Sequence, residues 1–284
     1  EEQLAALATQ VEEMAASGGG ADAQLEMDLD SMPDCRLKYE IIVKRAKAGK
    51  GKFADAQFPP NDKTIGDTVL QNNIPGVTVR WDRMGEKPKT VIFEDGIDAS
   101  DIRQGGLGDC YFLSSIAVLG NRQTRDKFVF IDGEDEWRQC GACCVKFYNG
   151  GKEQFVIVDD HLPLYESGDF IFTSTPSGTE MWPMLIEKAF AKLYGSYSVI
   201  EGGLVDVCLS ELTNGIPETF YTEKETNTAA LWNKAMKLYK AKHFLGAGSP
   251  NSKGGDSDIS PTGIVQSHAF SILRLVEADG HKLI

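Results

Sequence analysis

Apolar residues at Leu4, Leu7, Val11 and Met14 draw a single stripe along a helix over residues 2–16. Residues 1–17 are therefore expected to form an amphipathic helix with a face for a helix partner. Residues 18–50 open on Ser17-Gly18-Gly19-Gly20, continue acidic to Asp30, and read as a flexible linker. From residue 51 the pattern is that of a packed domain. Val77 to Trp81 alternates like a short strand, and residues 110–119 form an apolar helix stopped by Gly120-Asn121. Cys143 to Tyr148 and Phe155 to Val158 are β-rich runs around Asn149-Gly150-Gly151, a hairpin signal.

Leu185, Ile186, Ala189, Phe190 and Leu193 share one face of a helix from Trp182 to Leu193, closed by Gly195. A second unit is expected from residue 210. It has a helix over Ala229–Lys242, a short strand near Phe244–Gly246, and a Gly/Ser/Pro/Asp-rich loop at 246–263. Two strands follow, Ala269–Leu273 and His281–Ile284, around the turn Asp279-Gly280. A length of 284 residues supports two such units (51–209 and 210–284).

Charge and cysteine usage narrow the function classes. A net charge of -13 disfavours nucleic acid and anionic lipid as partners. No apolar run reaches the length of a transmembrane segment, and no signal peptide opens the chain. The six cysteines show no paired framework, so free thiols in an intracellular, cytoplasmic setting are expected. Cys140-Gly141-Ala142-Cys143-Cys144 lacks a second pair at zinc-finger spacing, and its cysteines are read as packing residues.

The chemistry concentrates at Gln104-Gly105-Gly106-Leu107-Gly108-Asp109-Cys110-Tyr111-Phe112. Cys110 opens an apolar helix, where unpaired N–H groups and the helix dipole favour a thiolate, the nucleophile of cysteine hydrolases. The preceding glycines permit close approach of a substrate backbone. The Gln104 amide, with the Cys110 N–H, is placed to hold an oxyanion. The glycine spacing fits neither the dinucleotide fingerprint nor the P-loop. A thiolate needs a proton partner. His268, between the 246–263 loop and a β-run, is one candidate; His161, in Asp159-Asp160-His161-Leu162-Pro163, is another. Periodicity does not choose between them.

Gln-Gly-x-Leu-Gly-Asp-Cys followed by an aromatic resembles the nucleophile motif of the calpains, calcium-dependent papain-like proteases, with Tyr111 where most members have Trp. Phe58-Pro59-Pro60-Asn61-Asp62, Val158 to Pro163 (with His161 where Arg is usual), Trp182 to Leu193 with Gly195-Ser196-Tyr197, Leu212-Thr213-Asn214-Gly215 and Ser267-His268-Ala269-Phe270-Ser271 resemble further family motifs in the same order. The resemblance runs from about residue 55 to the end.

It implies an α+β, papain-like two-lobed core, with residues 51–209 as lobe 1 and 210–284 as an incomplete lobe 2. It also implies calcium-dependent endopeptidase activity on intracellular polypeptides, with Cys110 as nucleophile, His268 as base and Gln104 in the oxyanion hole. The third catalytic residue would be an Asn a few positions beyond Ile284, so the 284 residues alone are expected to be inactive. In lobe 1, Ca²⁺ would be held by backbone oxygens of Glu94 and Gly96 and the carboxylates of Asp101 and Glu187, an all-oxygen set suited to that ion. The rival reading is a catalytically silent calpain-like module in a larger, cytoskeleton-associated or other assembly.

Overall fold

The computed structural model describes residues 34–94, 96–120, 129–130, 134–222 and 227–284. The expected N-terminal helix over residues 1–17 lies outside the described residues.

The first described element corrects the reading of 18–50 as linker throughout. Helix α1 spans Cys35–Lys47, with the Asp34 carboxylate accepting from Arg36 N and Leu37 N and basic residues in its last turn. The acidic, glycine-rich texture ends before Asp34. Beyond it Tyr39, Ile42 and Ala46 recur at helical spacing and are buried. Two short helices follow, α2 (Asp62–Ile65) and α3 (Asp67–Asn72), then β1 (Arg80–Arg83). The strand expected at 77–81 lies three residues later, where it pairs antiparallel with β5 (His161–Leu164).

Helix α4 (Cys110–Gly120) runs through the centre. All its residues after Cys110 are buried, so it is apolar all round rather than amphipathic. Strand β2 (Val129–Phe130), helix α5 (Glu134–Cys140), β3 (Ala142–Asn149) and β4 (Lys152–Asp159) follow. Strands β2, β3 and β4 form an antiparallel sheet in that order, with Cys143 opposite Val158 and Val145 opposite Val156. Gly150 and Gly151 both have positive φ, as the tight expected hairpin requires.

Side chains alternate across this sheet with period two. Cys143, Val145, Phe147, Val156 and Val158 enter the main core, whereas Ala142, Cys144 and Ile157 face Tyr39, Ile42 and Ala46 of α1. Helix α6 (Trp182–Tyr194) covers the main-core side. It starts with Pro183 in its first turn and ends on Gly195 at φ 109°. Phe112 of α4 stacks on Phe190 of α6 with ring centroids 4.2 Å apart.

Helix α7 (Val205–Thr213) packs on both α4 and β3. The expected unit boundary at 209/210 thus falls inside a helix. Helix α8 (Thr228–Lys240) follows, its Trp232 Nε1 donating to Glu277. Strands β6 (Gly246–Gly248) and β7 (Ala269–Ser271) pair with each other, as do β8 (Val276–Ala278) and β9 (His281–Leu283). The strand across the Asp279-Gly280 turn from His281 is therefore β8, and 269–271 pairs instead with the strand that precedes the 246–263 loop.

Candidate active site

Gly105 and its neighbours lie against a backbone wall. Arg103 bridges Ser174 antiparallel, and Gly106 N donates to Ile171 O at 2.8 Å. A Cβ on Gly105 would sit 2.1 Å from Phe172 O, so no side chain fits there. Gly202 N donates to Gly108 O at 2.8 Å, and the chain then enters α4 at Cys110. The Asp109 carbonyl accepts from the N–H groups of Phe112 and Leu113, so the Cys110 N–H stays ahead of the helical ladder. Tyr111 fills the usual Trp position by donating to Ile200 O and lying flat against Gly203, where a Cβ would come within 2.5 Å of the ring.

All six cysteines are free thiols. Burial pushes Cys35, Cys140, Cys143, Cys144 and Cys208 up, Cys144 to about 12, and each is thereby held as a thiol at neutral pH. Cys110, partly exposed, opens α4 two residues after Gly108, at the end of a turn that lines a cavity; Cys35, the other partly exposed cysteine, opens α1. That cavity, about 510 Å³, is lined by Asn73, the Gln104–Gly108 turn and Asp256. Gln104 Nε2 donates to Leu107 O at 2.8 Å, which holds its amide across the glycine turn.

His268 lies immediately before β7, and β7 packs along α4. Ser271 Oγ donates to Ser114 O at 2.9 Å, one turn into the helix that Cys110 opens. Ser249 braces the histidine backbone: His268 N donates to Ser249 Oγ at 3.0 Å and Ser249 N to His268 O at 2.9 Å. Phe270 meets the imidazole edge-on at 5.0 Å. His268 Nδ1 is buried without a hydrogen-bond partner. His161 Nδ1 lies 3.1 Å from the Asp159 carboxylate, which also pairs with the fully buried Lys188.

Sequence reasoning missed a buried carboxyl pair beneath the nucleophile. Asp109 is 0% exposed, and its carboxyl has no hydrogen-bond partner besides the Glu187 carboxyl. Its neighbour is Glu187 of α6, which accepts from Thr173 N at 3.1 Å and from the Thr173 hydroxyl. Burial, then the charge of Glu187, pushes Asp109 well up, while burial raises Glu187 to about 7 against the opposing Thr173 hydrogen bonds. Two carboxyls in contact without a cation retain a proton between them. The available sequence signal was a Glu within the apolar helix Trp182–Leu193 and an Asp flanking the nucleophile.

The Glu187 carboxylate is turned to Thr173 and Asp109, and the carboxylate beside Glu94 is that of Glu180, whose Oε1 accepts from Glu94 N at 3.0 Å. Gly96 takes a φ of 111°, and Asp101 is engaged in a capping box, accepting from Asp98 N at 2.7 Å. Among the described residues no three His, Cys, Asp or Glu side chains are grouped to hold a metal. Also among the described residues, no helix is long and apolar enough to cross a membrane.

Comparison with known proteins bears on this arrangement. Residues 53–284 match the model of the calpain family of cysteine proteases. A calpain-type cysteine protease (ADL1) of Oryza sativa subsp. japonica is 36% identical over 87% of this chain and 12% of its own length. A calpain-type cysteine protease (DEK1) of Zea mays is 36% identical over 90% of the chain and 12% of its own length, and a calpain of Schistosoma mansoni 32% identical over 83% and 31%. The chain thus spans well under two thirds of the length of these relatives. With the family's domain covering most of its residues on an α+β, papain-like core, the chain belongs to the calpain family of cysteine proteases.

Proposed function

We propose that this chain carries the catalytic machinery of a calcium-dependent cysteine endopeptidase acting on intracellular polypeptides. The observation that carries the reading is the placement of Cys110 at the open N-terminus of α4 with the His268 strand anchored along that same helix through Ser271 and Ser114. Cys110 Sγ attacks the scissile carbonyl carbon, the S–C bond forms, and His268 takes the thiol proton. The oxyanion is held by the Cys110 N–H and the Gln104 amide. As the C–N bond breaks, His268 delivers the proton to the departing amine, and water then hydrolyses the acyl-enzyme. An Asn orienting the imidazole belongs to the proposal. Calcium dependence rests on the family resemblance, and no step above runs through the ion.

A peptidyl epoxide tests the reading. With the protein in its full-length context, we expect one adduct at Cys110 and much slower labelling in His268→Ala. Labelling spread over several cysteines, or none at Cys110 in the folded protein, contradicts it.

A further inference from the structure

The glycines that bring the Gln104–Gly108 turn close to a substrate also leave it free to change shape. Gly105, Gly106 and Gly108 carry no side chain to restrict their dihedral angles, so a peptide plane in the turn rotates at little steric cost. An oxyanion hole needs the opposite, donors already in place when the charge develops. Rotation of one plane would present a carbonyl oxygen where a donor is required.

Three successive carbonyls of the turn are engaged. Gly106 O accepts from Asn73 Nδ2 at 3.0 Å, Leu107 O from Gln104 Nε2 at 2.8 Å, and Gly108 O from Gly202 N at 2.8 Å. Gln104 belongs to the turn itself and Gly202 donates from its backbone, so Asn73 is the side chain that reaches in from another element. It directly follows α3, and its own N–H donates to Val69 O at 2.9 Å. Val69 is buried, with its N–H donating to Ser198 Oγ at 3.0 Å, and the next residue after Asn73, Ile74, is buried in the main core. The Asn73 backbone is therefore fixed, although its side chain is exposed. The same amide nitrogen donates to Glu201 Oε1, one residue before Gly202. Residues 201 and 202 thus act on the turn twice, on Gly108 directly and on Gly106 through Asn73. The general mechanism uses neither Asn73 nor Glu201.

We propose that Asn73 is a positioning residue for the oxyanion hole, holding the Gly106 carbonyl, with Glu201 orienting its amide. The proposal rests on the endopeptidase reading above. Without this clamp the turn samples shapes in which the Gln104 amide and the Cys110 N–H no longer converge. Alkylation of Cys110 by iodoacetamide forms no oxyanion and is indifferent to the clamp. Peptide hydrolysis depends on it, and so does a peptide aldehyde, whose hemithioacetal oxygen takes the oxyanion's place.

The test uses the full-length protein and measures kcat and KM for a fluorogenic peptide, inhibition by a peptide aldehyde, the rate of Cys110 alkylation and the urea midpoint. Asn73→Ala is expected to lower kcat by about threefold to tenfold, the worth of one hydrogen bond, and to weaken the aldehyde by a similar factor. KM, alkylation and the urea midpoint are expected to stay near wild type, since the Asn73 side chain is exposed. Glu201→Ala should reproduce the loss, and Glu201→Gln, whose amide oxygen still accepts, should recover most of the rate. The double alanine variant should be no slower than the slower single one, because both act through one contact. Asn72→Ala, an exposed neighbour, should leave kcat unchanged. Unchanged kcat in Asn73→Ala, a loss of kcat matched by an equal loss in alkylation, or multiplying effects in the double variant overturns the clamp and leaves the protease reading standing. Absence of both cleavage and labelling at Cys110 in the wild type overturns the two together.

Discussion

At the scale of single residues, the glycines before Cys110 are fixed by space. Gly105→Ala would push a methyl into Phe172 O at 2.1 Å. We expect a loss of roughly 2–4 kcal/mol in denaturant unfolding, together with reduced activity, since the segment that carries Gln104 must shift. The Asp109–Glu187 pair makes a prediction about pH. The folded-state carboxyls are raised, Glu187 to about 7, and an unfolded chain would ionise them near pH 4. Between those values the native state holds more protons than the unfolded state, so stability is full below about pH 4 and falls as pH rises through about 7. Urea midpoints measured from pH 5 to 8 should decline in the wild type and decline less in Glu187→Gln. An identical slope in the variant would remove the pair as the cause.

At the scale of elements, α4 is the part on which the site depends. Phe112 is fully buried and stacks on Phe190, and Phe112→Ala should cost about 3–5 kcal/mol, read by thermal or denaturant unfolding. Ser271→Ala removes one hydrogen bond to Ser114 and should cost only about 1 kcal/mol in stability. Its larger effect is expected on kcat, because that bond ties the His268 strand to the nucleophile helix. Equal kcat in Ser271→Ala and wild type would contradict this coupling.

The elements with strong periodicity were legible in the sequence: α4, α6, α8 and β3 lie within a residue or two of expectation, and β4 begins three residues before it. Those set by tertiary pairing were not. Strand β8 contains three residues, too few for a period to register, and α1 was hidden by an acidic preamble. In the site, Cys110, Gln104 and His268 were nameable from motif and order. Asp109, Glu180 and Asn73 required three dimensions, because each gains its meaning from a residue far away in the chain. For Glu187 the helix position is evident in sequence, and the direction of its carboxylate is not.

At the scale of the whole molecule, the described core joins two kinds of packing. A three-stranded sheet between α1 and α6 builds a dense first part. The later strands come in separate pairs with half-exposed faces, held to that core chiefly through α7 and β7 on α4. The candidate nucleophile therefore lies on the firm part and the candidate base on a segment attached to it by a few bonds. Such an arrangement is compatible with the unpartnered His268 Nδ1, since catalytic contacts often tighten only with substrate bound.

The most direct test follows digestion of unfolded casein by the full-length protein with and without millimolar calcium, beside a Cys110→Ala control. Calcium-dependent cleavage that disappears in the control is the result predicted here. Cleavage that persists in Cys110→Ala, or no cleavage by the folded, calcium-supplied protein, would contradict the assignment of this chain as a working cysteine endopeptidase.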